Sequence, residues 1–236
     1  MNLTGELDLS KIVKYPLPED QYFKQAQTKT QVVLHHSAGW DNSRGMIDGW
    51  KADKRRVATA YGVTDDGTIL EAFEPQYWAA QIGYFITGFH DNDRAYQLVP
   101  GTNTQPHNLA IELRTIGIEI CNWGNLTFKD GKFHTWVSST QHPVTVDPKK
   151  VVTYEKPFRG ARHFERITDA ELESLWRWIR AICKRFVIPT KFDVSNFDLH
   201  VDAINGVPGV YTHCNFHAGK SDLPPQPELI EMLKAL

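Results

Sequence analysis

The chain has 236 residues, a length that fits one large domain or two small ones. Its 26 basic and 28 acidic residues give a formal net charge of -2, so no overall basic field attracts nucleic acid or an anionic membrane surface. Hydrophobic residues make up 41%, enough for a substantial core, and no segment approaches the roughly 18 apolar residues of a membrane span. The three cysteines form no C-x-x-C motif, which favours a reduced chain without a disulfide framework.

The first half of the chain shows alternating strand and helix signals. The first thirty residues are rich in Pro, Lys and Gln, contain no signal-peptide pattern and are predicted to wrap the surface. The run QVVLHH predicts a buried strand, and DNSRGMIDGWKAD predicts a helix of about three turns. Two strand-like runs flank Asp65-Asp66-Gly67, which predicts a hairpin. TIGIEICNW predicts another buried strand.

The second half contains one long irregular segment and one clear helix. Residues 124–160 carry several Pro, Lys and Thr residues and are predicted to be an elaborated loop insertion. A capping-box pattern from Thr168 to Glu171 opens an amphipathic helix that ends before Pro189. The run VYTH predicts a strand, and Pro227 begins a last short helix. Strands alternating with helices predict an α/β layered domain.

Two of the strand-like runs end in histidine, at His35 and His213. Because ligand sites in open α/β sheets gather beyond the strand ends, the two side chains are expected to converge. Asp222 follows His213 with eight residues between them and could fold back as an oxygen ligand. Two histidines and one carboxylate are a common catalytic zinc set, which leaves the fourth position for water.

Glu119 lies within the apolar run IGIEI, where an unpaired carboxylate is costly. Two interpretations stay open from the residues alone. The side chain is either a strand residue that faces solvent, or a general base beside the metal whose pKa is raised by burial.

Four short motifs give the chain a resemblance to a known family. VVLHHSAG, YGVTDDGTI, TIGIEICN and GVYTHCNF followed by GKSD span roughly residues 31 to 225. In this order they resemble the type-2 N-acetylmuramoyl-L-alanine amidases. That superfamily includes phage lysis amidases, bacterial recycling amidases and animal peptidoglycan-recognition proteins. The resemblance implies a single amidase domain over residues 1–236, with a central mixed β-sheet flanked by helices and one zinc ion in a surface groove.

The resemblance also implies roles for individual residues. Its zinc ligands fall on His35, His213 and Asp222, its catalytic glutamate on Glu119, and its oxyanion-stabilising lysine on Lys220. The implied reaction is zinc-dependent hydrolysis of the amide bond between N-acetylmuramic acid and L-alanine, in peptidoglycan or a muropeptide.

The sequence departs from the family pattern near the hairpin. Thr59 stands where some members have a catalytic tyrosine, and Ala60 stands where a histidine is usual. These departures leave the metal set intact and put the substrate contacts in doubt.

Several neighbouring side chains are candidates or competitors for the site. His36 is expected to point away from His35, and Cys214 away from His213, because successive strand residues face opposite sides. His217 is expected about 13 Å from His213 along an extended chain, as a surface or outer residue.

Two groups of side chains are candidates for substrate contacts, and each has a purely structural interpretation as the alternative. Arg159 and Arg162 could bind a peptide carboxylate, although most surface arginines are merely solvated. Trp78, Trp123 and Trp136 fall in or near predicted loops, where sugars could stack on them, although core packing is the commoner role for any one of them.

Two settings and two rival functions remain open from the sequence. Without a signal peptide, the enzyme is expected in the cytoplasm, either as a phage lysis amidase that a holin releases to the wall or as a cytosolic recycling enzyme. One rival is a peptidoglycan-binding protein without activity; such proteins lack a zinc ligand, whereas this chain keeps all three candidates. The other is a structural or regulatory protein that reuses the fold.

Overall fold

The computed structural model describes residues 1–39, 42–53, 55–83, 105–217 and 219–236. Within them eleven strands and five α-helices are assigned. The strands are β1 Val13–Lys14, β2 Gln31–His36, β3 Tyr61–Val63, β4 Ile69–Glu71, β5 Thr115–Ile120, β6 Asn125–Lys129, β7 Lys132–His134, β8 Thr145–Val146, β9 Val151–Phe158, β10 Ala161–Glu165 and β11 Gly209–Thr212. The helices are α1 Ser43–Asp53, α2 Gln105–Arg114, α3 Asp169–Phe186, α4 Val201–Asn205 and α5 Pro227–Lys234.

Six strands form the central sheet, in the order β1-β4-β3-β5-β2-β11. Strands β3, β5, β2 and β11 run parallel to one another, and β4 pairs antiparallel with β3. The sheet is therefore mixed, and with the helices it confirms the predicted α/β domain.

The two faces of the sheet are covered by different parts of the core. Strand β2 is buried along its whole length, which explains its continuous apolar pattern. Val32 and Leu34 belong to the larger core cluster, which includes residues of α3 and α5, whereas Val33 packs in a second cluster with residues of α2 and α4. Because side chains alternate between faces, His35 shares the face of Val33.

The local signals read from the sequence are confirmed. The hairpin joins β3 to β4 through Gly67, which has a φ of 83°, a value that favours glycine. Helix α3 begins at a complete capping box, in which the Thr168 hydroxyl accepts from the Glu171 N–H and the Glu171 carboxylate accepts from the Thr168 N–H.

The first thirty residues do more than wrap the surface. Strand β1 pairs with β4 at the edge of the central sheet. Ile12, Leu17 and Tyr22 are buried in the larger core cluster. This segment therefore contributes to the core as well as covering it.

The prediction of an irregular loop for residues 124–160 is wrong. The region forms most of a second sheet, in the order β8-β7-β6-β10-β9. All residues of its longest strand, β9, are partly or fully exposed. The signal in the sequence was a pair of two-residue turns, Asp130-Gly131 and Arg159-Gly160, whose residues all have positive φ.

Among the described residues, no helix is both long enough and apolar enough to cross a membrane.

Candidate metal centre

The pairing of β2 with β5 brings the first two site residues together. The strands are parallel, and His35 is the register partner of Glu119. Side chains at paired positions of neighbouring strands lie on the same face, about 5 Å apart. The histidine and the carboxylate are therefore neighbours on the face of the sheet that α2 and α4 cover.

The end of β11 adds the second histidine. Strand β11 runs parallel to β2 with Thr212 opposite Leu34, and His213 begins a short 3-10 turn that ends at Asn215. The Nδ1 atoms of His35 and His213 are 3.0 Å apart. Both rings are buried.

Asp222 folds back onto this histidine pair. Its Oδ2 lies 3.2 Å from Nδ1 of His213 and 3.7 Å from Nδ1 of His35. The Cys214 thiol holds the returning chain, since Sγ donates to the backbone carbonyl of Asp222 at 2.9 Å. Cys214 therefore contacts backbone rather than the cluster.

The three donor atoms fit a tetrahedral zinc ion. With zinc–nitrogen and zinc–oxygen distances of about 2.0–2.1 Å, ligands on a tetrahedron are separated by about 3.3 Å. The separations of 3.0, 3.2 and 3.7 Å bracket that value. Of the residues that the structure describes, His35, His213 and Asp222 are the group whose geometry could hold a metal ion.

The protonation states also suit a metal. Burial lowers the pKa of His213 to about 4. Burial works against the charged form of Asp222, but the imidazoles of His213 and His36 outweigh it and hold the pKa of this carboxyl well below its usual range. At neutral pH these two residues therefore offer a free imidazole lone pair and a carboxylate, as metal binding requires.

A second layer of hydrogen bonds fixes the orientation of His213. Its Nε2 lies 3.1 Å from the carbonyl oxygen of Ile82. A carbonyl only accepts, so Nε2 carries the proton and Nδ1 is left free to face the cluster. The Glu112 carboxylate accepts from the backbone N–H groups of Gln81 and Ile82, at 2.9 and 3.0 Å. The helix α2 thereby holds the segment that orients a candidate ligand.

Glu119 lies at the bottom of a cleft of about 200 Å³. Its Oε2 is buried and has no hydrogen-bond partner among the described residues, and burial raises the pKa of the carboxyl to about 7. The side chain is partly exposed through the cleft, which favours the general-base interpretation over that of a plain surface residue. Lys220 is exposed and lines the same cleft as the three donor residues.

A further hollow of about 300 Å³ adjoins this cleft and shares Ser37, Trp50 and Glu119 with it. A larger cavity of about 900 Å³ lies between the N-terminal segment and the end of α3. None of the candidate site residues lines it. The candidate metal ligands, Glu119 and Lys220 therefore all line the cleft of about 200 Å³.

The comparison with known families decides the identity of the fold. The sequence profile of the N-acetylmuramoyl-L-alanine amidases matches residues 25–226, most of the chain. The chain belongs to this amidase family. A search of curated proteins found no match.

Three of the solved structures that are similar to this amidase have nearly equal TM-scores. PlyL is 12% identical with a TM-score of 0.48, over 95% of each chain. A mutant endolysin from Bacillus subtilis is 11% identical with a TM-score of 0.49, over 95% of this chain and 97% of that one. The N-acetylmuramoyl-L-alanine amidase LysC from Clostridium intestinale is 14% identical with a TM-score of 0.47, over 95% of each chain.

The amidase structure corrects the expected position of His217. Its ring centroid lies 6.3 Å from that of His213, about half the separation expected for an extended chain. The chain leaves β11 at Thr212 and turns, so the His217 N–H reaches the His213 carbonyl at 3.1 Å. His217 therefore packs beside the candidate metal ligand.

The structure places the three predicted substrate-contact residues in three different environments. Trp78 is 5% exposed and stacks on Phe23 with ring centroids 4.0 Å apart, so the alternative of core packing is the correct one. Arg159 pairs with Asp198 at 2.7 Å. Arg162 is exposed on β10 and does not line the cleft.

Sequence reasoning missed the residues that shape the cleft floor. A Cβ on Gly117 would lie 1.8 Å from Oε1 of Gln81 and 2.7 Å from the methyl group of Thr59. Only glycine lets these two side chains lie against β5 in the cleft. A glycine inside a strand pattern is a known sign of such close approach and was the available signal.

Proposed function

We propose that this amidase holds a zinc ion at His35, His213 and Asp222 and hydrolyses the amide bond between N-acetylmuramic acid and L-alanine. The convergence of the three donor atoms to within 3.7 Å of one another, beside Glu119, is the observation that carries the proposal. When bound, zinc would polarise the amide carbonyl and lower the pKa of water toward neutrality.

Glu119 is the proposed general base and acid. The pKa of its carboxyl, raised to about 7 by burial, suits a group that takes a proton from the attacking water. The same carboxyl then gives the proton to the departing alanine nitrogen. Its Oε2 has no hydrogen-bond partner among the described residues, so none of them competes for this contact.

Lys220 is the proposed source of positive charge for the oxyanion. Its side chain lines the cleft together with the donor residues. An ammonium group placed beside a developing negative charge stabilises the transition state more than the neutral amide of the ground state.

Product analysis tests the reaction. Digestion of purified peptidoglycan should release new L-alanine amino termini without new reducing sugar ends. New reducing ends without amino termini would identify a glycosidase. A protein that sediments with peptidoglycan and releases neither product would be a binding module.

The variant Glu119→Gln tests the mechanism, because it keeps the side-chain shape and removes the base. Turnover should fall by roughly 10²- to 10⁴-fold, while the zinc content stays equal to that of the wild type. Glu171→Gln is a matched control: it makes the same change at another buried carboxyl, which lies in the first turn of α3 and does not line the cleft. A Glu119→Gln enzyme with wild-type turnover and full zinc would place the base elsewhere.

The biological setting is a further part of the proposal: phage lysis after release by a holin, or recycling of muropeptides in the cytosol. Comparison of the rates on intact sacculi and on soluble muropeptides separates the two. A lysis enzyme should solubilise sacculi, and a recycling enzyme should act on the soluble fragments alone.

A further inference from the structure

An exposed tryptophan stands at the rim of the metal cleft. Trp136 follows β7 and is 66% exposed. An exposed indole loses the free energy that burial of a large aromatic side chain would provide. Neither the metal cluster nor the proposed proton transfer uses it.

The indole is fixed to the segment that follows β2, the strand that carries His35. Its Nε1–H donates to the carbonyl of Ala38, three residues past His35. Ala38 lines the cleft together with His35 and Lys220. Three residues span at most about 10 Å even in an extended chain, so the carbonyl that holds the indole lies close to His35.

A second tryptophan borders the same place. A Cβ on Gly39 would lie 4.0 Å from Cζ2 of Trp136 and 3.9 Å from Cζ3 of Trp123. Trp123 is partly buried, and its backbone N–H donates to the Glu165 carboxylate at 2.7 Å. The two indoles therefore form one aromatic border beside the strand end.

The loop that carries Trp136 is held by its own hydrogen bonds. The Thr135 N–H donates to the Val144 carbonyl at 3.0 Å, and the Val144 N–H donates to the Ser138 hydroxyl at 2.9 Å. The Ser138 N–H closes a turn to the Thr135 carbonyl at 3.1 Å. A ring on such a loop is oriented before a ligand arrives, which lowers the entropic cost of binding.

We propose that Trp136 is a stacking platform for a sugar ring of the substrate's glycan strand. The inference rests on the proposed function, since the muramic acid ring carries the lactyl group whose amide is cut. A bound sugar is thus only a few bonds from the reacting carbonyl, which matches the short reach from Ala38 to His35. The apolar face of a pyranose ring fits an exposed, oriented indole, and its hydroxyl groups stay in water.

Two substrates with the same scissile amide test the platform. One is a GlcNAc-MurNAc peptide, and the other is a D-lactyl-L-alanyl peptide that lacks the sugar. With Trp136→Ala, the KM for the disaccharide peptide should rise about tenfold, equivalent to about 1.4 kcal/mol, with kcat within about twofold. The KM for the sugar-free peptide should not change. An equal effect on both substrates, or no effect on the disaccharide peptide, would overturn the proposal.

Binding of the peptide-free GlcNAc-MurNAc disaccharide, measured by calorimetry on chelator-treated protein, gives a readout independent of catalysis. Trp136→Ala should weaken this binding about tenfold, and Trp136→Phe should fall between it and the wild type, because it keeps a ring but loses the bond to Ala38. Phe128→Ala is the matched control: this aromatic residue of the second sheet is 54% exposed and packs on Phe133, and its side chain has no hydrogen-bonding group to tie it to Ala38.

The outcomes separate the platform from the proposed reaction. A wild type that cleaves neither substrate but binds the disaccharide through Trp136 would remove the proposed function and keep the platform. Disaccharide binding equal in the wild type and in Trp136→Ala would refute the platform, whatever the activity.

Discussion

Replacement of Glu112 by glutamine tests how the protein holds His213. The Glu112 carboxylate accepts from two consecutive backbone N–H groups, and the second of these residues, Ile82, accepts the Nε2–H of His213. Glutamine keeps one acceptor oxygen and places an amide NH₂ group against the other N–H. One charge-assisted hydrogen bond is therefore lost, and its partner is left buried and opposed by a donor.

The structure sets the expected magnitudes. Loss of a hydrogen bond to a buried charge should lower the free energy of unfolding by about 1.5–3 kcal/mol. The more specific effect is on the metal, since a shifted Ile82 carbonyl no longer fixes the tautomer and orientation of His213. Changes to such outer partners typically weaken metal affinity by about 10- to 100-fold.

Zinc affinity measured by competition with a chromophoric chelator at pH 7.5 gives the decisive readout, with the thermal midpoint recorded on the same samples. Arg114→Gln is the control from the same helix, because the Arg114 side chain donates to Gln31 and to the Ile204 carbonyl, away from the 81–82 segment. It should lower stability and leave zinc affinity within about twofold. If Glu112→Gln is destabilised but binds zinc as tightly as the wild type, the carbonyl of Ile82 holds its place without Glu112 and the reasoning fails.

Further predictions follow from the same cluster and from one remote carboxyl. The protein should carry about one zinc per chain by elemental analysis, and His35→Ala or Asp222→Ala should remove most of it; equal zinc in all three samples would refute the ligand assignment. Lys220→Ala should lower kcat by roughly 10²- to 10³-fold with unchanged zinc content, and an unchanged kcat would remove the oxyanion role. Burial raises the pKa of Glu171 from 4.5 to about 8, so the folded state binds this proton more tightly than the unfolded state. The resulting stability is fully present below about pH 4.5 and is lost as the pH rises through about 8. Glu171→Gln keeps the capping box. Above pH 8 its free energy of unfolding should exceed that of the wild type by up to roughly 4 kcal/mol, and its denaturation midpoint should be higher. Equal denaturation midpoints at pH 9 would contradict the shift in the pKa of Glu171.

Local signals predicted those parts of the fold that depend on neighbouring residues. The capping box at Thr168, the turn at Gly67 and the apolar run of β2 specify backbone conformation or burial within a few positions, and the structure has all three. The second sheet was missed although two of its strand pairs are tight hairpins: Asp130-Gly131 joins β6 to β7 and Arg159-Gly160 joins β9 to β10, and all four residues have positive φ. The pairing of β6 with β10, in which Asn125 lies opposite Phe164, joins segments far apart in sequence that no turn signal connects.

The same difference between local and long-range information applies to the candidate site. The sequence predicted which residue types could bind zinc, because two strand ends carry histidine and the family motifs fix their order. It could not predict the position of His217, since whether the chain continues as a strand or turns after Thr212 depends on what packs around it. It left Trp78 open between sugar stacking and core packing, because burial of this side chain depends on a distant partner, Phe23.

By itself the sequence determined the kinds of donor available to the metal and their order along the chain, because these are properties of side chains. The tertiary structure alone decided that His35 lies opposite Glu119 and that its ring approaches His213 to 3.0 Å, because both follow from the register between strands far apart in sequence. It alone also showed the role of Ile82, which acts through its backbone carbonyl. Every residue has that group, so only the fold can select the one that orients a metal ligand.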